Sequence, residues 1–413
     1  MKEKMDTEII IAGGGLVGNA LAIALAQGGI AVSVIDPLPR EAQLDAGFDG
    51  RTSAISAASV RILGHLGAWQ HIAPAAQPIH DIRVCDQDKP GYVHYSDKDV
   101  GEPFGYIVEN HIIRRGLYLA LEATKGIDVR SGKVVGFTRD AQSATAELED
   151  GASITGALLI AADGRFSKLR EQAGIKQRII SYQQVAIVCV IEHSQPHDGL
   201  ALEKFYPAGP FAALPLVDGA NGAHRSGIVW TEHESDAPNY VALSDDDFNA
   251  ELQRRLGDAS DGYWGKAKAV GKRFSYPLKL MHADQFTAPR FVLVGDAAHG
   301  IHPIAGQGVN LGYRDLAVLA ELLVEQRKLG LDLGAESALA HYQRWRRFDS
   351  FSMTASTDIL NRLFSNNIPG LSLLRRAGMV AVDHIPPLKN YFMKHAMGLL
   401  GDLPKMMKED KAA

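Results

Sequence analysis

The sequence predicts an α/β (α+β) fold: a Rossmann-like dinucleotide-binding domain with an inserted, mostly antiparallel sheet and a helical C-terminal region. Three observations predict it. Strands running into glycine turns recur at residues 8–15, 157–164 and 290–296. Between the second and third, alternating β-branched runs are separated by turn-rich loops. Beyond Ala335, apolar residues recur at helical spacing.

In chain order, residues 8–12 make a short apolar strand, Gly13-Gly14-Gly15 a turn and residues 16–27 an alanine-rich helix stopped by Gly28-Gly29. Residues 30–35 make a second strand. Residues 157–161 run into Ala162-Asp163-Gly164. Residues 290–294 end in Gly295-Asp296, and a helix follows from residue 308 to about 324. Over 179–285, runs such as Ala186-Ile187-Val188-Cys189-Val190-Ile191 and Ser226-Gly227-Ile228-Val229-Trp230 predict antiparallel strands, with a helix over 245–256. The tail breaks at Pro369 and Pro386-Pro387. The division is a discontinuous nucleotide-binding domain (1–76, 107–178, 286–346), a sheet domain (77–106, 179–285) and a helical region (347–413).

At 413 residues the chain has room for two or three domains, and 46% hydrophobic with 22% charged residues is globular composition. Forty-three basic against 48 acidic residues give −5, with no basic run, which argues against nucleic-acid binding. Cys85 and Cys189 support neither a disulfide framework nor a zinc cluster and fit a reducing compartment. His299 and His302 lack a third ligand, so loop hydrogen bonding is expected there and no metal. The charged N-terminus runs directly into the glycine unit, and no apolar stretch has membrane-spanning length; the expectation is a cytoplasmic protein.

Gly13-Gly14-Gly15-Leu16-Val17-Gly18 has the G-x-G-x-x-G form, placed between a strand and a helix. Gly13 permits the turn, Gly15 lets backbone approach a pyrophosphate, and Gly18 lets helix and sheet pack closely. Helix N–H groups face the phosphates, and Asp36 at the next strand end accepts hydrogen bonds from a ribose hydroxyl pair. Farther on, Asp296 stands at a strand end, and Gly306 and Gly308 open a second helix N-terminus.

Gly13 to Gly18, Ala162-Asp163-Gly164 and Gly295-Asp296 resemble the three marks of flavoprotein aromatic hydroxylases related to p-hydroxybenzoate hydroxylase. The run His302-Pro303-Ile304-Ala305-Gly306-Gln307-Gly308-Val309-Asn310-Leu311-Gly312-Tyr313-Arg314-Asp315 resembles the narrower UbiH/VisC/UbiM group of ubiquinone-biosynthesis hydroxylases. The resemblance implies FAD as cofactor and NAD(P)H as co-substrate. Gly13, Gly15, Leu16, Val17, Gly18 and Asp36 would hold the ADP half, and Arg51 would lie along the pyrophosphate or flavin. Asn110 and Arg114 would touch the flavin chain, Asp163 both FAD and the nicotinamide, and Asp296 the ribityl hydroxyls. Pro303, Gly306, Gln307, Gly308, Val309 and Asn310 would line the ring. This chain carries a shorter acid, Asp36, where the family more often shows glutamate.

The implied reaction is hydroxylation of a polyprenylated phenol or quinol by O2, through a C4a-hydroperoxide of the flavin; no side chain is marked as catalytic acid or base. A soluble phenolic substrate and a non-catalytic scaffold of a quinone-biosynthesis complex are the alternatives. Ring position, electron donor and oligomeric state stay open. A bilayer-dwelling substrate implies peripheral membrane contact or a biosynthetic complex. Leu371, Leu373, Leu374, Met379, Val380, Phe392, Met393, Met397, Leu399 and Leu400 offer either an amphipathic surface or a face packed on core or sister subunit. Arg344, Arg346 and Arg347 beside Trp345 would face solvent, anionic lipid or a partner. Cys189 is expected in the core. Tyr182 and Gln184 line a pocket or pack at a strand edge.

Overall fold

The computed structural model describes residues 5–45, 47–87, 92–257, 263–365 and 371–408. Its first sheet has six strands, in the order Thr287–Ala288, Phe291–Leu293, Leu158–Ala161, Ile9–Ala12, Val32–Asp36 and Ile127–Ser131. All neighbours are parallel except the first pair. Ile9, Ile10 and Ile11 are wholly buried, as a parallel sheet covered on both faces requires. The alanine-rich helix Leu16–Gln27 lies against helix Gly308–Lys328, close enough that a Cβ on Gly28 would meet Val324 at 2.2 Å.

The second sheet has eight strands and spans Gln177–His193, Leu200–Tyr206, Gly209–Leu216, His224–His233 and Ala267–Ala283, with Asp81–Cys85 and Tyr92–Ser96 at one edge and His299–Gly300 at the other. One pair, Leu200–Tyr206 with Asp81–Cys85, is parallel; the rest are antiparallel. Alternation sorts its side chains. Ile187, Phe211, Ile228 and Trp230 pack beneath helix Asp245–Leu256, while Val190, Ala201 and Leu216 face the nucleotide half. That helix begins with Ser244 accepting the Asp247 N–H, and its ends carry acids and arginines in dipole-favoured positions. Cys189 is in this core, where burial pushes its thiol to about 12. A small sheet (Thr52–Ser56, Gly105–Glu109, Gln77–Pro78) joins the halves. The antiparallel sheet Val134–Arg139, Ala144–Leu148, Ser153–Gly156 has no counterpart in the sequence reading.

The tail forms helices Glu336–Phe364, Leu371–His384 and Pro386–Ala396. One expectation is corrected there, and another divides between its two alternatives. Arg346 is neither solvated nor a lipid contact: it is 0% exposed and ion-paired with Asp315 and Asp349. The apolar tail residues divide as well. Met379, Met393 and Met397 are buried in the core, whereas Val380 and Phe392 face solvent. The side chains of Leu371, Leu373 and Leu374 lie outside the described set. Exposed apolar groups gather elsewhere, at Phe348 (77%), Phe351 (61%) and Ile359 (62%). Among the described residues no helix is long and apolar enough to cross a membrane.

Candidate functional site

Three loops converge at the C-terminal ends of the parallel strands, where open α/β sheets bind ligands. Gly13 has φ +108°, and a Cβ on it would lie 2.4 Å from the Ala162 carbonyl oxygen. A Cβ on Gly18 would meet the Gly13 oxygen at 1.9 Å. Val17 is the third link: a Cβ on Gly295 would stand 3.1 Å from its Cγ2, and one on Gly312 2.6 Å. The glycine turn, the Ala162-Asp163-Gly164 loop and the Gly295-Asp296 loop are therefore locked together by close backbone approach.

Gly15 differs from these. Its φ of −76° suits any residue, and nothing lies within 4 Å of where its Cβ would be. It precedes helix Leu16–Gln27, which has no side-chain N-cap, so the first N–H groups face open space. Gly308 repeats the arrangement at the start of helix Gly308–Lys328: no side-chain cap, and nothing within 4 Å. The buried Nε of Arg114 and Nδ2 of Asn19 also lack hydrogen-bond partners. An extended anionic dinucleotide supplies what these groups lack: phosphate oxygens for uncapped N–H groups and acceptors for unpaired donors. The residues present fit FAD.

Asp36 is more committed than the sequence suggests. Its Oδ2 accepts the Gly14 N–H at 2.6 Å, and its Oδ1 accepts the Leu38 N–H at 2.8 Å and Gln43 Nε2 at 3.0 Å. Of about four carboxylate lone-pair positions, three are taken and one stays open. Arg51 donates through Nε to Asp49 Oδ2 at 2.8 Å, and Tyr276 lies 5.9 Å below its guanidinium. Asn110 opens helix Asn110–Ala123; its N–H donates to the Arg51 carbonyl and its Oδ1 accepts from Ser53. Arg51, Asn110 and Arg114 thus form one cluster. Asp163 and Asp296 are solvent-facing; Asp296 lies 3.9 Å from Arg165. Leu16, Val17 and Val309 are half-buried and pack against the main core.

Asn310 is tied to a neighbouring strand. Its Oδ1 accepts the Ser56 N–H at 3.0 Å and its Nδ2 donates to the Ala54 carbonyl at 2.8 Å. The side chain clamps the loop to strand Thr52–Ser56. Gln307 donates to the Ala396 carbonyl, tying the loop to the tail. Gln184 donates to the Ala208 carbonyl and accepts from Asn361, so strand packing describes it.

Behind the loop lies a buried charge network that sequence reading missed. Asp315 Oδ2 accepts the Gly295 N–H at 2.9 Å and faces His299 Nε2 at 2.6 Å, while Oδ1 accepts Arg346 Nε at 2.7 Å. Arg314 bridges Asp349 and the carbonyls of Gly398 and Leu400. The turn carrying Asp296 is thereby fixed to two helices and the tail.

His302 is wholly buried; its Nδ1 accepts the Ile304 N–H, so Nε2 carries the hydrogen facing Gln184 Oε1 at 3.3 Å. Burial outweighs nearby Asp358 and lowers the ring to about 4, from 6.5. The unfolded chain therefore takes this proton first. Stability is complete above the unfolded value and falls as pH drops from 6.5 toward 4, by up to ~3 kcal/mol. The difference between native and His302→Gln urea midpoints at pH 7 and 4.5 measures it, since half-buried His282, also lowered to about 4, keeps its own share in both.

Between the Pro303–Gln307 loop and the eight-stranded sheet is a cavity of about 140 Å³. Phe104, Ile107 and Leu214 wall it, Ala201 and Ala212 lie on the sheet side, and Pro303, Gly306 and Gln307 close it. Gly306 takes φ +62°, and a Cβ there would meet the Ala54 Cβ at 2.8 Å. Glu203 is on the wall too. The sequence signal was available: an acid alternating with Ala201 and Phe205 on an otherwise apolar strand face.

A phosphate-ready glycine turn, two uncapped helices and an apolar cavity beside the second of them define a flavoprotein monooxygenase. Residues 6–348 match the family described as "FAD binding domain". The chain is 46% identical to "Ubiquinone hydroxylase UbiL" of Rhodospirillum rubrum, over 95% of this chain and 90% of that one. It is 36% identical to the "3-demethoxyubiquinol 3-hydroxylase" of Escherichia coli, over 95% and 99%. The crystal structure of p-nitrophenol 4-monooxygenase PnpA from Pseudomonas putida superposes with a TM-score of 0.77 at 19% identity, over 96% and 98% of the two chains, and shares the fold. The chain belongs to the FAD-binding-domain family, in the branch of the ubiquinone-biosynthesis hydroxylases, and is an FAD-dependent aromatic-ring monooxygenase.

Proposed function

We propose that this chain hydroxylates the aromatic ring of a polyprenylated ubiquinone precursor, taking O2 and reducing equivalents from NAD(P)H. The observation that carries the reading is the apolar cavity set directly against the Pro303–Gln307 loop. Bound FAD supplies the oxygen chemistry that no side chain can. The chain's own residues bind and orient. Residues 1–76, 107–178 and 286–346 make the FAD-binding domain. In it the Gly15 and Leu16 backbone holds the pyrophosphate, Asp36 a ribose hydroxyl and Asp296 the ribityl chain. Arg51, Asn110 and Arg114 flank the cofactor, and Asp163 faces the entering nicotinamide. The sheet domain, 77–106 and 179–285, supplies Phe104, Ala201 and Leu214, which seat an apolar ring and exclude water.

We infer further that the region 347–413 brings the chain to its bilayer-dwelling substrate. Phe348 and Phe351 face solvent beside Arg344 and Arg347 around one groove, the pairing of apolar and cationic groups that an anionic lipid surface takes up. One experiment tests both. In a strain lacking this chain, a prenylated intermediate one oxygen short of its product accumulates in the membrane fraction, and a tagged copy of the chain sediments with those membranes. Accumulation of a soluble phenol instead overturns the substrate; a tagged chain wholly free of membranes and of other proteins overturns the docking.

A further inference from the structure

Glu203 stands in the cavity wall without a partner. On strand Leu200–Tyr206, Leu202 and Tyr206 pack into the cluster around Trp230, while Ala201 packs with Phe104 and Ile107 on the cavity side. Alternation puts Glu203 on the side of Ala201. It pairs in register with Ala212, and both alanines line the cavity, leaving its carboxyl room to reach inward. Among the described residues it makes no hydrogen bond or ion pair, and no other titratable group lines the cavity. Arg83 and Lys204 pair in register with Leu202 and Phe211, so they lie on the opposite face. The titratable group on the cavity face two strands away, Tyr95, stays neutral, pushed up to about 12 by burial and then by Asp383.

Burial alone raises the Glu203 carboxyl to about 7. A carboxyl kept in an apolar wall costs stability unless something donates to it, and folded proteins rarely leave such a group unsatisfied. We propose that Glu203 receives the ring hydroxyl of a neutral phenolic substrate, positioning the ring and activating it for hydroxylation. This rests on the hydroxylase reading above. The step balances within the pair: the phenol O–H bond breaks and a carboxyl O–H bond forms. The electron pair left on the phenol oxygen raises electron density at the ortho and para carbons, and no redox equivalent is used. The same carboxylate selects against anionic aromatic acids, because no cation lines the cavity among the described residues to receive a second negative charge.

The test uses the FAD-loaded full chain, following the visible flavin absorption as guaiacol (neutral) or p-hydroxybenzoate (anionic) is added. In the native chain guaiacol binds about tenfold more tightly at pH 8 than at pH 6, as the carboxyl ionises and becomes a charge-assisted acceptor. Glu203→Gln removes that pH dependence and binds p-hydroxybenzoate more tightly than the native chain does. Glu203→Asp keeps a weakened pH dependence, and equal FAD uptake by both variants shows that they fold. A Glu203→Gln chain with native guaiacol affinity and pH profile overturns the assignment of Glu203 alone. A native chain whose flavin spectrum guaiacol does not perturb overturns the seating of a phenol hydroxyl at Glu203, while the hydroxylase reading fails separately if no prenylated intermediate accumulates in the strain lacking the chain.

Discussion

Asp315→Asn lowers stability at pH 7 by about 3–5 kcal/mol, the cost of removing the wholly buried partner from a buried ion-pair network, and weakens FAD uptake in parallel. Asp315 is wholly buried among three donors: the Gly295 N–H, His299 and Arg346. Asparagine keeps the shape but presents an NH2 group to one of those donors and removes the more deeply buried of the two charges facing Arg346. Burial pushes the Asp315 carboxyl up, but His299 and Arg346 outweigh it and hold it below the usual carboxylate range. A depressed acid stabilises above its unfolded pKa, 3.8, and loses that contribution only as pH falls below it, so at pH 7 the whole effect is present. The coupling to FAD follows from geometry. Gly295 sits at φ +59° with its N–H fixed by Asp315, and this turn aims Asp296. Urea unfolding and FAD titration measure the two losses. Replacing both partners, Asp315→Leu with Arg346→Met, costs less than Asp315→Asn alone, because the buried cation leaves with its partner while Asp349 keeps Arg314. A single-variant loss below about 1 kcal/mol, the range of an exposed pair, sinks the argument.

Why this network escaped the sequence while the nucleotide fold did not is a matter of range. The helix Leu16–Gln27 and the strand Ile9–Ala12 are local patterns, and the structure reproduces them almost residue for residue. The helix Asp245–Leu256 is equally local, with its cap and charge order written into consecutive residues. Arg346 is the opposite case. Flanked by Arg344 and Arg347 it reads as one of a basic cluster, but helical rotation turns it inward while its neighbours stay exposed. Its reason for burial is Asp315, 31 residues earlier on another helix. Asn310 was legible as a site residue but not as a clamp, since its two bonds reach strand residues about 250 positions away. Glu203 needed the cavity itself. Its place between Ala201 and Phe205 marks an acid on an apolar strand face, but only the cavity lining and the register with Ala212 show that nothing answers its charge.

Gly15→Val separates the ligand's requirement for glycine from the fold's. At φ −76° and ψ −165° valine fits the backbone, and nothing lies within 4 Å of its Cβ. The protein without FAD therefore loses at most about 1 kcal/mol, the difference between glycine and an apolar residue at an N-cap. FAD affinity falls by about 100-fold, because a branched side chain over the uncapped helix holds the pyrophosphate out of reach of two N–H groups worth about 1.5 kcal/mol each. Gly18→Ala behaves differently. Its Cβ would meet the Gly13 carbonyl at 1.9 Å, a backbone contact that only moving the helix relieves, so stability and FAD binding fall together. Thermal unfolding of the FAD-free protein and fluorescence titration with FAD distinguish the two variants. If Gly15→Val takes up FAD with native affinity, the pyrophosphate does not lie over this turn, and the assignments of Asp36 and Asp296 to the two ends of the cofactor fall with it. If it unfolds like Gly18→Ala, the open space beside Gly15 belongs to the fold and not to a ligand. The position is informative because geometry demands glycine at Gly13 and Gly18 and leaves Gly15 for chemistry to explain.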